Sequence, residues 1–190
     1  MKTYGFIPEY ELPAGPFREV LIPGALEREW TVTGDYSRVA RNHCAAVLLT
    51  NLVRYFMDRS SIDRIKARTD AGKVFYDVHD KVGNGPVLRL FSKAKRYVRP
   101  MGYQIDHRKV KDLETFRDAL RRGRPCVMLL MAEALEWHWV LAVGLREYED
   151  GTWYLRLADG WHRKADIFWK WNEGSRFILG REVYIHRIGC

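Results

Sequence analysis

The sequence has few cysteines and no long apolar run. Its three cysteines, Cys44, Cys126 and Cys190, are an odd number and stand at no metal-ligand spacing. They therefore form neither a disulfide framework nor a zinc motif, and a reducing compartment is the expected environment. The longest apolar run, from Cys126 to Ala132, is too short to cross a bilayer. We expect no metal and no other cofactor.

The N-terminal stretch from Met1 to Pro8 lacks the apolar segment of a secretory signal peptide. Together with the absence of a membrane-spanning run, this predicts a cytoplasmic protein without a membrane partner. Repeats, low-complexity tracts and linkers are also absent, so one folded domain is expected, over residues 35–190. Residues 1–34 hold four of the seven prolines and predict an extended N-terminal arm with short strands over 18–22 and 29–33.

The composition is that of a folded protein with a basic surface. It is 47% hydrophobic and 29% charged, which excludes wholesale disorder. The net charge of +8 points to an anionic surface or ligand, or simply to a soluble basic surface. Basic clusters at 93–96, 107–109 and 121–124 belong to no nucleic-acid motif and are predicted to be solvated helix faces and ends. A nucleic-acid partner is therefore not expected.

Helical patterns dominate the first half of the chain and strand patterns the second. A first helix is predicted from the apolar stretch 42–56 and is expected to end near residue 58. Further helices are predicted over 61–68, 72–81, 87–99 and 112–121. Strands are predicted over 103–105, 126–131, 138–145, 153–159 and 182–188. A hairpin turn at Asp150-Gly151 joins two of these strands. Helices followed by a mostly antiparallel sheet are typical of an α+β domain.

The helix that begins near Asn42 is apolar on nearly every side, which predicts a position in the middle of the domain. Asn42 is a favourable N-cap residue and would place Cys44 in the first turn. Unpaired N–H groups and the helix dipole favour an anion there, so the thiol of Cys44 is expected to ionise more easily than a free thiol. The alternative is that Cys44 is a small core residue.

A thiolate nucleophile needs a base and a group that orients the base. His138 begins one strand of the predicted hairpin and Asp159 ends its partner. Antiparallel pairing about Asp150-Gly151 places His138 opposite a residue near position 163, and a short bulge would bring Asp159 within reach. Taken singly, His138 reads as a strand-end histidine bonded to a carbonyl and Asp159 as a turn residue before glycine. Taken with Cys44, they predict a catalytic triad.

Three motifs carry a resemblance to a known family, namely residues 42–46 (NHCAA), 138–144 (HWVLAVG) and 159–161 (DGW). From about residue 35 to the C-terminus the sequence resembles papain-like cysteine peptidases, and among them the bacteriocin-processing type (cysteine peptidase family thirty-nine) and its bacterial relatives. The resemblance implies a papain-like fold whose central helix carries Cys44. It also implies that Cys44 is the nucleophile, His138 the general base and Asp159 the orienting group.

Three further residues are expected to support the site. The resemblance implies that Trp161 shields the contact between His138 and Asp159 from water, although a core aromatic is an equal alternative. Trp139 follows His138 in its motif. Asn51 lies seven residues after Cys44 on the same helix face and is predicted to be a buried hydrogen-bonding residue rather than a catalytic one.

One feature departs from the papain pattern. A glutamine usually stands about six residues before the nucleophile and supplies an oxyanion donor, but Arg38 holds that position here. Asn42 and Arg38 are the candidate donors, besides the main-chain amide of Cys44. Loss of an oxyanion donor costs on the order of 10²–10³ in turnover, so a weakly active or inactive enzyme is a consistent outcome.

The sequence thus predicts a cysteine peptidase or related thiol amidohydrolase that cleaves a peptide or small amide. Acyl transfer by the same triad and a catalytically silent binding domain are the alternatives, and nucleic-acid binding ranks below both. The remaining candidates are assigned no role in catalysis. His43 is not expected to bind metal, His162 is predicted to be a solvated loop residue, Cys126 an inert core thiol and Cys190 an exposed thiol.

Overall fold

The computed structural model describes residues 4–38, 40–60, 71–85, 87–133, 136–171 and 173–189, with the main chain alone at 58–60. The helix predicted over 61–68 and the thiol of Cys190 lie outside these residues. Within them, no helix has the length and apolar character needed to cross a membrane.

The described residues form four α-helices. These are α1 (Cys44–Ser60), α2 (Ala71–Val82), α3 (Leu90–Val98) and α4 (Leu113–Arg121). The helices predicted over 72–81 and 112–121 are confirmed, and the carboxylate of Asp112 caps α4 by accepting from the N–H of Thr115 at 2.9 Å. The prediction over 87–99 is wrong at its start, because a turn precedes Leu90 and no side chain caps the helix there.

Eight strands are found in the same described residues. They are β1 (Phe6–Pro8), β2 (Phe17–Leu21), β3 (Tyr103–Lys109), β4 (Cys126–Met131), β5 (Trp137–Tyr148), β6 (Trp153–Ala158), β7 (Ile167–Lys170) and β8 (Arg176–Arg187). Sequence analysis missed β1 and β7, which pair with each other and are too short to show an alternating pattern. The strand predicted over 29–33 is not formed.

All eight strands join one antiparallel sheet in the order β1-β7-β6-β5-β4-β8-β3, and β2 pairs with the second half of β5. The predicted hairpin turn is present, since the N–H of Tyr148 donates to the carbonyl of Thr152 at 2.8 Å and Gly151 has a positive φ. Residues 1–34 contribute β1 and β2 to this sheet. The chain is therefore a mixed helix and antiparallel-sheet protein, as the α+β prediction requires.

The core lies where α1 packs against β5 and β8, and α2 also packs against α1. Side chains on every side of α1 are buried, including those of Ala45, Val47, Leu49 and Tyr55. This confirms the prediction that α1 is an interior helix. Its burial sets the position of the first turn, where Cys44 lies.

A buried charge network attaches the N-terminal segment to the sheet. The guanidinium of Arg156, on β6, donates to both carboxylate oxygens of Glu9 at 2.8 and 2.9 Å and to Glu19 at 3.0 Å. Arg146, on β5, donates to Glu9 at 2.6 Å. Hydrogen bonds from Arg156 lower the pKa of Glu9 despite its partial burial. Both arginines are buried, so removing either carboxylate would leave a poorly compensated interior charge.

Asn51 ties the segment before α1 to the middle of that helix. The N–H of Thr31 donates to Asn51 Oδ1 at 2.8 Å, and Asn51 Nδ2 donates to the carbonyl of Thr31 at 2.9 Å. Both residues are buried. The amide side chain thus takes the place of a partner strand for Thr31, which explains why no strand forms over 29–33. It also confirms that Asn51 is a buried hydrogen-bonding residue.

Replacing Asn51 by Ala should lower the free energy of unfolding by about 2–4 kcal/mol, because the buried N–H and C=O of Thr31 both lose their partner. Thr50→Val is the matched control, since its hydroxyl donates to the Ala46 carbonyl of the same helix. We expect the control to cost less than about 1 kcal/mol. Urea denaturation of both variants measures the difference, and equal losses would contradict this role for Asn51.

Candidate active site

Cys44 is the first residue of α1. The carbonyl of His43 accepts the first helical hydrogen bond, from the N–H of Val47 at 3.0 Å, so His43 occupies the N-cap position. The prediction that Asn42 is the N-cap is therefore wrong. Asn42 has a φ of 51°, a left-handed conformation that asparagine tolerates, and its carbonyl accepts from Gly85. As a first-turn residue, Cys44 has no helical partner for its own N–H.

His138 begins the buried part of β5 and is held between aromatic rings. Its imidazole stacks on Trp161 at 4.1 Å between centroids and 11° between planes, and Tyr4 lies 5.3 Å away. His138 Nε2 is 2.7 Å from the carbonyl oxygen of Asp159. A carbonyl only accepts, so Nε2 carries the hydrogen and Nδ1 holds the free lone pair. This hydrogen bond fixes the ring in the tautomer whose Nδ1 can accept a proton.

The carboxylate of Asp159 does not make the contact that was predicted for it. It accepts from the N–H groups of Trp161 and His162 at 3.0 and 2.9 Å, and from His162 Nδ1 at 2.8 Å. The predicted bulge is present between Ala142 and Gly144, but it brings the main chain of Asp159 to His138 rather than its side chain. An aspartate before glycine readily captures the N–H groups of its own turn, which is what happens here.

Cys44 and His138 line one cleft of about 960 Å³. One wall comes from the segment before α1 and from Gly85, and the other from Tyr4, the start of β5 and Trp161. The lining residues are Tyr4, Thr33, Gly34, Ser37, Ala40, Arg41, Asn42, His43, Cys44, Gly85, Glu136, Trp137, His138 and Trp161. The cleft therefore joins two of the three predicted triad residues.

Burial controls the charge state of both groups. It raises the pKa of the Cys44 thiol, although hydrogen bonds from the main-chain amides of Trp139, Ala45 and Cys44 itself act in the opposite direction. The expectation of an easily ionised thiol is therefore wrong, because desolvation outweighs the helix terminus. Burial also lowers the pKa of His138 to about 4. At neutral pH the thiol and the imidazole are both uncharged.

The two predicted oxyanion donors differ in position. Asn42 lines the cleft, whereas Arg38 is exposed and lies outside the lining that the described residues form.

The three residues that were expected to support the site also occupy different positions. Trp161 covers the His138 ring, Trp139 contributes its main-chain amide to the Cys44 thiol, and Asn51 binds Thr31 and is not among the lining residues.

Neither His43 nor Cys126 adds a metal site or a second nucleophile. His43 is buried, with Nε2 3.0 Å from the carbonyl oxygen of Thr33. Cys126 is fully buried, and burial raises its pKa well above the ordinary value, in agreement with an inert thiol. The described part of the chain contains no cluster of His, Cys, Asp and Glu that could hold a metal ion.

Sequence reasoning missed the aromatic cover of His138 and the partner of Asp159. Tyr4 and Phe6 lie against the rings of His138 and Trp161, yet they belong to a segment that shows only extended, proline-rich patterning. The spacing of Asp159 and His162 in one turn is the only local signal for their contact. No protein-family model and no curated protein sequence matches this chain.

Proposed function

We propose that the chain is a thiol hydrolase with a papain-like fold that cleaves a peptide or a small amide through an acyl-enzyme on Cys44. The observation that carries the proposal is the cleft in which Cys44, at the start of an interior helix, and His138, at the start of a central strand, are brought together. A nucleophile on the central helix and a base on the sheet are what the resemblance implies for such enzymes.

The tautomer of His138 defines the direction of proton transfer. As Cys44 Sγ attacks the substrate carbonyl carbon, the thiol proton passes to His138 Nδ1 and a tetrahedral oxyanion forms. The imidazolium then protonates the leaving amine, the C–N bond breaks, and the thioester remains on Cys44. Water attacks the thioester with the same base and releases the acid. Throughout, Nε2–H keeps its hydrogen bond to the Asp159 carbonyl.

The resting pair is neutral rather than a preformed ion pair, because burial opposes charge on both partners. Proton transfer must therefore accompany attack on the carbonyl, which is general-base catalysis in its ordinary form. A partly buried cleft with stacked aromatic walls suits this mode, since the imidazole is held in place and shielded from water.

The first turn of α1 supplies the oxyanion donors in this proposal. The Cys44 main-chain N–H has no helical partner, and the side chain of Asn42 lines the same cleft. Arg38, the residue at the position of the usual glutamine, is exposed outside the cleft. Asn42 is therefore the better side-chain candidate.

Two alternatives use the same cleft. Acyl transfer differs only in that an amine replaces water in the second half of the reaction. A catalytically silent binding domain is favoured by a specific contact, because the Asp159 carboxylate holds His162 rather than His138. In that case the raised pKa of Cys44 would leave an unreactive thiol.

Alkylation by iodoacetamide, mapped by intact mass and peptide analysis, tests the proposal without a known substrate. In a Cys190→Ser background, which removes the terminal thiol, we expect at pH 7 a single modification, on Cys44, and a rate roughly 10²-fold lower in His138→Ala because the general base is lost. His186→Ala is the control, since His186 lies on β8 outside the cleft, and its rate should equal that of the wild type. Labelling of the fully buried Cys126 reports unfolding.

A Cys44 rate that is unchanged in His138→Ala, with Cys126 protected in both proteins, would contradict the hydrolase and favour the silent binding domain. His138→Gln repeats the test with a side chain of similar size, so that loss of packing against Trp161 is not mistaken for loss of the base.

The pH dependence of the same reaction separates general-base attack from simple thiol ionisation. His138 accepts a proton only while it is neutral, that is, above its pKa of about 4. We therefore expect a rate that is flat between about pH 5 and about pH 8 and that falls roughly tenfold per pH unit at more acidic values. In His138→Ala the rate should instead rise roughly tenfold per unit across the neutral range, because only thiolate reacts. Parallel slopes in the two proteins would exclude the base role of His138.

A further inference from the structure

A basic hollow lies where β3, β8 and the segment after α4 meet. It has a volume of about 230 Å³, and its lining residues are Asp106, His107, Arg108, Arg124, Glu182 and Tyr184. Sequence analysis predicted the clusters at 107–109 and 121–124 to be solvated helix faces and ends, but residues 107–109 lie on β3. The fold instead brings residues of both clusters to one place.

Three guanidinium groups surround a single buried carboxylate in this hollow. Glu182 accepts from Arg108 Nε at 2.8 Å and from Arg122 Nη2 at 2.7 Å, and Arg124 Nη1 lies 3.5 Å away. Each guanidinium has five N–H donors. In the described part of the chain, none of the three has another hydrogen bond or ion pair. Most of their donors are therefore available to a ligand.

The charged groups at the hollow leave an excess of positive charge. Burial lowers the pKa of His107, and the charges of Lys95 and Arg181 act in the same direction, so both cations lie near the His107 ring. The other carboxylate in the lining, Asp106, is bonded to His186 at 2.8 Å. The charged groups at the hollow are thus three guanidinium groups, those of Arg108, Arg122 and Arg124, against the two carboxylates.

We propose that this hollow binds a phosphate group, either as inorganic phosphate or as the end of a small phosphate ester. The forked donors of arginine match the oxygens of phosphate in geometry and charge. The volume suits one such group with a short substituent. Asp106 and Glu182 would repel the neighbouring phosphates of a polymer, so a small ligand fits better than a nucleic acid.

The hollow is separate from the cleft. The ring of Tyr184 contacts Phe56, near the far end of α1, at 5.7 Å between centroids. Phe56 lies twelve positions after Cys44 on α1, a distance of roughly 18 Å at the usual helical rise. The phosphate site is therefore independent of the hydrolase proposal, and each can fail without the other.

Isothermal titration of the full chain with inorganic phosphate, at constant ionic strength, tests the site. We expect saturable binding of one phosphate and an affinity at least about tenfold weaker in the double variant Arg108→Gln/Arg124→Gln, because charged hydrogen bonds are lost. Arg18→Gln is the matched control, an exposed strand arginine outside the hollow, and should bind within about twofold of the wild type.

A gain of affinity provides the sharper test. Glu182→Gln removes the internal anion and should tighten phosphate binding by about tenfold, whereas attraction to a generally basic surface would change little. If this variant does not fold, as judged by circular dichroism, the arginine variants decide. If adenosine monophosphate and inorganic phosphate bind with equal affinity, the site takes the bare anion. If adenosine monophosphate binds more tightly and Tyr184→Ala removes that gain, the site takes an ester with an aromatic substituent. Both results support the site.

Three results would overturn the phosphate site. They are absence of saturable binding, equal weakening in Arg18→Gln, and binding confined to oligonucleotides with affinity that grows with their length. The last would assign this face to a nucleic acid instead.

Discussion

The burial of α1 against β5 and β8 is the constraint on which the rest of the structure depends. Because the helix is apolar on nearly every side, it lies inside the domain. At the first end, Cys44 enters the cleft that His138 lines. Towards the second end, Phe56 contacts Tyr184 beside the basic hollow. One interior helix therefore positions both proposed sites.

Burial of the ionisable side chains decides which of them carry charge. Where a buried ionisable group has a matched partner, the charge is kept, as in the contacts of Arg156 with Glu9 and Glu19. Where the partner is not charged, desolvation dominates, and Cys44 and His138 are held neutral. The chemistry proposed for the cleft follows from this second case, because a neutral thiol needs a neutral base at the moment of attack.

Sequence patterns predicted the elements whose period or punctuation is strong. Helix α4 follows from a capping aspartate, an amphipathic run and a terminating glycine and proline, and the β5–β6 hairpin follows from Asp150-Gly151. The same patterns failed where long-range contacts replaced local ones. Thr31 pairs with the side chain of Asn51 rather than with a strand, and β1 is defined only by its pairing with β7.

The sequence by itself determined that an interior helix begins with a cysteine and that His138, on β5, and Asp159, directly after β6, belong to one hairpin, because these features depend on apolar periodicity and on one turn. Only the tertiary structure decided that the Asp159 carboxylate faces His162, that the Cys44 pKa is raised, and that two basic clusters meet at Glu182. Side-chain direction and desolvation depend on neighbours far away in the chain, and no local pattern encodes them.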